Sequence, residues 1–179
     1  MKSSISIPVF LLWTLAACLS IVSLAPHGVS QSESPEAPQV ADRIVVVKST
    51  RTMTLESKGR TLKTYKVALG GQPVGAKERQ GDHKTPEGEY AVDAKNAHSQ
   101  FYKALHLSYP NATDRLRARK LGVGPGGDVE IHGLGKEYGW IGARHRLTDW
   151  TDGCVAVTNE EIEEIFKMVE VGTRVEIRP

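Results

Sequence analysis

The chain has 179 residues, 40% hydrophobic, 25% charged and 6% aromatic, with 23 Lys plus Arg against 21 Asp plus Glu for a formal charge of +2. These proportions belong to a soluble globular protein and exclude a collagenous, disordered or multi-span membrane chain. Acidic and basic residues are interspersed, so there is no basic track, and no nucleic-acid partner is expected.

Residues 1–30 carry one charged side chain, Lys2, ahead of apolar runs at 5–17 and 19–25. A short positive start followed by an apolar core is the pattern of an export signal. Three endings stay open: cleavage near Ser30, lipid attachment at Cys18 within Leu15-Ala16-Ala17-Cys18, and an uncleaved anchor, since about 20 apolar residues span a bilayer. Each places the folded part outside the cytoplasm, in the periplasm or cell envelope, with any membrane attachment made through the N-terminus. Residues 31–42, rich in Ser, Pro, Glu and Gln, read as a flexible linker. Residues 43–179 remain as one domain, large enough to bury a core without disulfides, and a monomer is expected.

Residues 43–48 carry the β-branched run Ile44-Val45-Val46-Val47, which suits a strand. Residues 52–56 alternate, with Met53 and Leu55 on one face; Lys58-Gly59 turns the chain, and 61–69 returns with Tyr65, Val67 and Leu69 at period two, making a hairpin. Residues 70–88 form a long loop rich in Gly, Pro and charge, a length that marks a functional segment. Strands are expected at 89–93 and 102–108, and a short basic helix at 111–120. At 128–132 Val129 and Ile131 share a face, leaving His132 on the other; at 154–157 Val155 and Val157 do the same and leave Cys154 opposite. Thr158 and Glu161 have capping-box spacing, and Ile162, Ile165, Phe166 and Val169 mark one face of a helix that Gly172 should end before a last strand at 174–178. The pattern is mainly β with one or two short helices.

Once Cys18 is removed or lipidated, Cys154 stands alone in an exported chain, with no internal disulfide available to it. A buried apolar cysteine would explain that equally well; its surroundings favour chemistry. A cysteine nucleophile needs a base or cation to make thiolate accessible and backbone N–H groups for the oxyanion. Gly153, just before it, can take unusual backbone conformations and bare its amide, and His132 is a base that the fold can bring close.

The combination His132-Gly133 with Thr151-Asp152-Gly153-Cys154 resembles the signature of the YkuD-type L,D-transpeptidases, cysteine enzymes of bacterial peptidoglycan. The resemblance extends over nearly all of 43–178 and includes Thr85-Pro86-Glu87-Gly88-Glu89-Tyr90. It implies a β-sandwich-like or mixed-sheet catalytic domain in which Cys154 accepts the acyl group and His132 is its base. It further implies that the Gly133 carbonyl orients the imidazole, that amides near Gly153 and Cys154 form the oxyanion hole, and that peptidoglycan stem peptides are the partners. There are three departures: Asp152 where the family usually has His, a longer span of 22 positions from His132 to Cys154, and Ala156 where many members carry Arg or Asn. The last resembles an outlying branch that includes hydrolases of peptidoglycan-linked bonds, so L,D-transpeptidation is the main reading and hydrolysis the alternative.

His145 and Arg146 are candidates to clamp a stem-peptide carboxylate, and Thr151 and Asp152 are further candidates for substrate contact, with Asp152 placed to orient Arg146 or a substrate amine. Each has a plain structural reading as a surface pair or a turn. Lys84 and Thr85 are read as loop geometry, Trp140 and Trp150 as groove lining or packing, and His83, His98 and His106 as surface or strand histidines. No cofactor is expected. A zinc peptidase is disfavoured because no His-x-x-x-His or His-Glu-x-x-His spacing occurs; a catalytically dead wall-binding module is the remaining rival.

Overall fold

The computed structural model describes residues 39–179, so the expected export segment and most of the linker lie outside the described residues. The first strand, β1 (Ala41–Val47), starts two residues before the expected domain boundary: Ala41 is buried and Asp42 accepts a hydrogen bond from the Lys58 N–H at 2.7 Å. The hairpin forms as the alternation predicts, from β2 (Thr52–Ser57) and β3 (Arg60–Lys66), with Met53, Leu55 and Tyr65 turned into the core. Next come β4 (Gly88–Ser99), β5 (Tyr102–Leu107), α1 (Ala112–Leu121), β6 (Glu130–His132), a 3-10 segment (Gly139–Leu147), β7 (Val155–Ala156), α2 (Asn159–Met168) and β8 (Val169–Arg178).

All eight strands belong to one mixed sheet in the order β3-β2-β1-β8-β4-β5-β6-β7. Two neighbouring pairs are parallel, β1 with β8 and β6 with β7. The sheet curls until the segment after β3 reaches its far edge: the Ala68 N–H donates to the Ala156 carbonyl at 3.0 Å, and the Ala156 N–H returns a bond at 2.9 Å. Inside the curl lie Ile44, Val46, Met53, Leu55, Val67, Leu69, Val92, Leu105, Leu107, Ile131, Val155 and Val157. The amphipathic α2 adds Ile162 and Ile165 to this core, and its capping box closes as expected between Thr158 and Glu161. Among the described residues no helix is long and apolar enough to cross a membrane.

Three expectations change. A third short helix exists at 139–147, where Gly139 and Gly142 and a sequence without an apolar stripe hide it from periodicity. Strand β4 runs to Ser99, because its second half, Ala-Lys-Asn-Ala-His-Ser, is held by the ladder to β5 and buries almost nothing. Gly172 does not end α2. The helix stops at Met168, and Gly172, at φ +96°, lies inside β8 where the pairing with β1 jumps from Ala41–Val169 to Arg43–Arg174.

The long loop at 71–87 is tethered rather than loose. The buried Lys48 ammonium donates to the carbonyls of Gly75 (2.6 Å) and Thr85 (2.9 Å) and to Glu87 Oε1 (2.8 Å). Thr85 is fully buried and its hydroxyl accepts from the Gly70 N–H at 2.9 Å, the loop-forming role expected of it. These bonds lay the loop against the segment that carries Cys154.

Candidate active site

Strands β6 and β7 set the geometry. They are parallel, with Ile131 opposite Val155 and His132 opposite Ala156. Side chains of paired residues share a face, and residues two apart share it too. His132 and Cys154 therefore issue from one face of adjacent strands, offset by one pleat repeat, roughly 7 Å. That is the shared placement expected from the two valine pairs. The face is not open at His132, however: the imidazole is 1% exposed, stacked on Phe101 (centroids 4.2 Å apart) and edge-on to Trp150 at 5.9 Å.

His132 Nδ1 lies 2.6 Å from the Gly133 carbonyl. A carbonyl only accepts, so Nδ1 carries the proton and Nε2 keeps its lone pair. Burial pushes the imidazole down to about 4, against the Gly133 bond, which favours the charged form. Gly133 itself has no room for a side chain: a Cβ there would lie 2.6 Å from Asn159 Oδ1 and 2.9 Å from the Phe101 carbonyl. The Cys154 sulfur sits between two backbone groups of the neighbouring segment, accepting from the Glu130 N–H at 3.4 Å and donating to the Asp128 carbonyl at 3.6 Å. Burial pushes the thiol up to about 11, so at neutral pH both sulfur and imidazole rest uncharged.

The turn that delivers the cysteine departs from expectation at Gly153 and Thr151. Gly153 has φ +134°, and a Cβ would fall 2.6 Å from the Lys84 carbonyl. Its N–H is not bared; it donates to Thr151 Oγ1 at 3.1 Å, and the Thr151 hydroxyl in turn donates to the Cys154 carbonyl at 2.8 Å. Thr151 is buried and its hydroxyl is engaged within this turn. Gly153→Ala should destabilise the domain by about 1–3 kcal/mol, the usual cost of a forced backbone conformation, and should abolish Cys154 chemistry. Urea unfolding and thiol labelling would measure the two effects separately.

Asp152, Arg146 and His145 also differ from expectation. Asp152 is exposed and pairs with His83 Nδ1 at 2.6 Å, not with Arg146. Arg146 is bound to Glu161, the carboxylate that caps α2, so it ties the 3-10 segment to that helix. His145 is buried, accepts a long hydrogen bond from Trp150 Nε1 (3.5 Å), and is held down at about 4, first by burial and then by Arg146. Phe101 and Trp150, the rings against His132, also wall a cavity of about 480 Å³ that takes in Leu134, Tyr138, Ile141, Arg144 and His145.

The chain matches the family model of the L,D-transpeptidase catalytic domain, YkuD, over residues 41–177. It belongs to this family. The provisionally named L,D-transpeptidase YafK of Escherichia coli K12 is 30% identical over 176 residues, covering 91% of this chain and 63% of YafK. The chain thus spans less than two thirds of that relative's length. The similarly named YqjB of Bacillus subtilis 168 is 29% identical over 142 residues, 78% of this chain and 73% of YqjB. Among solved structures, the helical cell shape determining protein Pgp2 from Campylobacter jejuni superposes with a TM-score of 0.60 at 25% identity, over 78% of this chain and 48% of Pgp2. Bd1075 of Bdellovibrio bacteriovorus gives 0.54 at 22% identity, over 78% and 51%, a likeness of fold.

Several residues that shape this L,D-transpeptidase-family site carry no local signal in the sequence. Asn159, the first residue of α2, accepts from the Leu134 N–H (2.8 Å) and donates to the Gly135 carbonyl (3.1 Å), pinning the segment after His132. Phe101 sits in the tight β4–β5 connection and becomes the floor of the imidazole. Lys77 is a buried cation under the Cys154 turn, bonded to Asp82 Oδ1 at 2.7 Å. Each is an ordinary residue type whose partner lies far along the chain.

Proposed function

We propose that this domain is an exported, cysteine-dependent peptidoglycan L,D-transpeptidase. The observation that carries the reading is a neutral imidazole, fixed by Gly133 so that Nε2 bears the lone pair, on the same sheet face as the one cysteine among the described residues. In the first step Cys154 Sγ turns from the Asp128 carbonyl toward His132. Sγ bonds to the carbonyl carbon of the L-centre residue of a stem tetrapeptide while Nε2 takes the thiol proton. The C–N bond to D-Ala then breaks, the imidazolium returns its proton to the leaving amine, and a thioester remains. An amine from a second stem attacks the thioester, His132 takes its proton, and the thiol is regenerated as the 3→3 link forms. The oxyanion falls to the Cys154 N–H, since Gly153 gives its own to Thr151.

The cavity beside His132 is the place for substrate flanking the scissile bond. Its cation is Arg144, whereas Arg146 is held by Glu161. Arg144→Ala should raise KM about tenfold with kcat nearly unchanged, the loss of one charge-assisted bond made equally in ground and transition states. Steady-state release of D-Ala from a tetrapeptide substrate would show it.

Hydrolysis is the second reading, supported by Ala156, which stands two positions after the cysteine where many members of the family carry Arg or Asn and is fully buried here. Water would then resolve the thioester, giving a carboxypeptidase or an endopeptidase, including one that cuts protein–wall links. Mass spectrometry of muropeptides from sacculi incubated with the purified protein, beside a Cys154→Ala control, separates the readings. New 3→3 dimers with free D-Ala establish transpeptidation; loss of tetrapeptides or links without new dimers establishes hydrolysis. Identical profiles from protein and control sink both and favour a binding module, and activity lost with EDTA would point to zinc. The likeness to Pgp2, a cell shape determining protein, supports a role in wall remodelling.

A further inference from the structure

The 71–87 loop places a buried ion pair directly beneath the turn that carries Cys154. Lys77 is 4% exposed and Asp82 9%. Lys77 Nζ is 2.7 Å from Asp82 Oδ1 and 3.5 Å from the Asp152 carbonyl, and 3.6 Å from where a Cβ on Gly153 would stand. Asp82 is itself locked, accepting from the N–H groups of Glu78 (2.8 Å), Arg79 (3.1 Å) and Lys84 (3.1 Å). A buried ammonium is costly unless compensated, and a simple loop clasp needs no charge aimed at a peptide two residues before a nucleophile.

We propose that Lys77 is a positioning residue of the thioester chemistry: seated between Asp82 and the Asp152 carbonyl, its ammonium fixes the peptide leading into Cys154 and supplies the positive field that stabilises negative charge on the sulfur. This rests on the cysteine reading above. Burial weighs most against a thiolate and the Glu130 N–H favours it; of the charged side chains, Glu130 on β6 and Asp152 on the turn act against it and Lys77 acts for it. The Asp128 carboxylate is fully exposed and lies near His106 of β5 (3.7 Å), and His83 is taken by Asp152. His132, buried and neutral, offers no resting charge. Lys77 is thus a fixed cation set against the peptide that leads into the nucleophile.

The test is the rate at which iodoacetamide alkylates Cys154 at pH 8 in the full-length protein, read by mass spectrometry of the peptide that carries it so that Cys18 is scored apart, with thermal unfolding recorded alongside. Below the thiol pKa this rate follows the thiolate fraction. Lys77→Met should slow labelling at least about fivefold, and Asp82→Asn, which removes the opposing charge, should speed it at least about fivefold. Opposite signs support the electrostatic role, because a merely structural clasp would shift both variants the same way. Rates within twofold of wild type, or changes of the same sign, overturn the proposal. If Lys77→Met does not fold, Asp82→Asn decides alone: faster labelling supports the proposal, and unchanged or slower labelling overturns it. Alkylation requires no turnover, so a failure here is distinct from a failure of the muropeptide assay.

Discussion

Cys154→Ala should leave the fold intact and reduce turnover of sacculus stem peptides to background, a loss on the order of 10³-fold or more. The side chain contributes little to stability that a methyl would not. Its neighbours Val155, Ala156 and Val157 are fully buried without it, and its two hydrogen bonds are long contacts to backbone groups. Everything specific to the sulfur is chemical. Cys154→Ser keeps the shape but replaces the thiol with a far weaker nucleophile at neutral pH, so it should behave like alanine in the muropeptide assay. It should also leave position 154 unlabelled by thiol reagents. An active Cys154→Ser variant would move the chemistry to another group and dismantle the mechanism.

His132→Asn should cost about 10²–10⁴-fold in kcat/KM, the range for removal of a positioned general base, and the pH profile of the wild type should show why. With the imidazole held down at about 4 and the thiol up at about 11, the working pair is neutral over the whole middle range. Protonation of His132 removes the base, so kcat/KM should fall as pH drops through about 4 and hold level from there through neutrality. A preformed thiolate–imidazolium pair predicts the reverse on the alkaline side, with activity lost as the imidazolium gives up its proton near neutral pH. A profile that falls between pH 7 and 9 would therefore contradict the neutral pair. Phe101 and Trp150 enforce this state by excluding water from the ring, so widening that enclosure should raise the acid limb toward the ordinary imidazole range.

What could be read in advance was what repeats locally. The hairpin at 52–66, the capping box at Thr158 and the alternation around Val129 and Val155 all follow from side-chain periodicity, and all three elements stand where periodicity puts them. That alternation set His132 and Cys154 each opposite their apolar neighbours; the parallel pairing of β6 with β7, which the sequence does not announce, brings them to one face. The expectations that failed depended on distant partners. Arg146 looked free beside His145, yet the carboxylate that takes it arrives from α2. The Gly153 amide looked bare, yet the Thr151 hydroxyl reaches it across the turn. Lys48 and Lys77 are both buried, and nothing adjacent to either in the sequence announces it. The second half of β4 has no buried face to produce alternation, and only its ladder to β5 makes it a strand.

The closure of the sheet through Ala68 has a bearing on how errors of assembly are avoided. The strand next to the nucleophile, Val155–Ala156, is only two residues long. A lone edge strand of that length would be free to slide by one position, and because side chains alternate, a single-residue slide would bring Val155 to the working face and bury the thiol. It would also offer unpaired backbone groups to any passing chain. Fastened on one side by β6 and on the other by the return of the hairpin, the strand has neither freedom. The β2–β3 hairpin, remote in sequence from the chemistry, thereby acts as a registration mark for the cysteine. Loosening it should first appear as molecules that are folded but misaligned, inactive well before they melt.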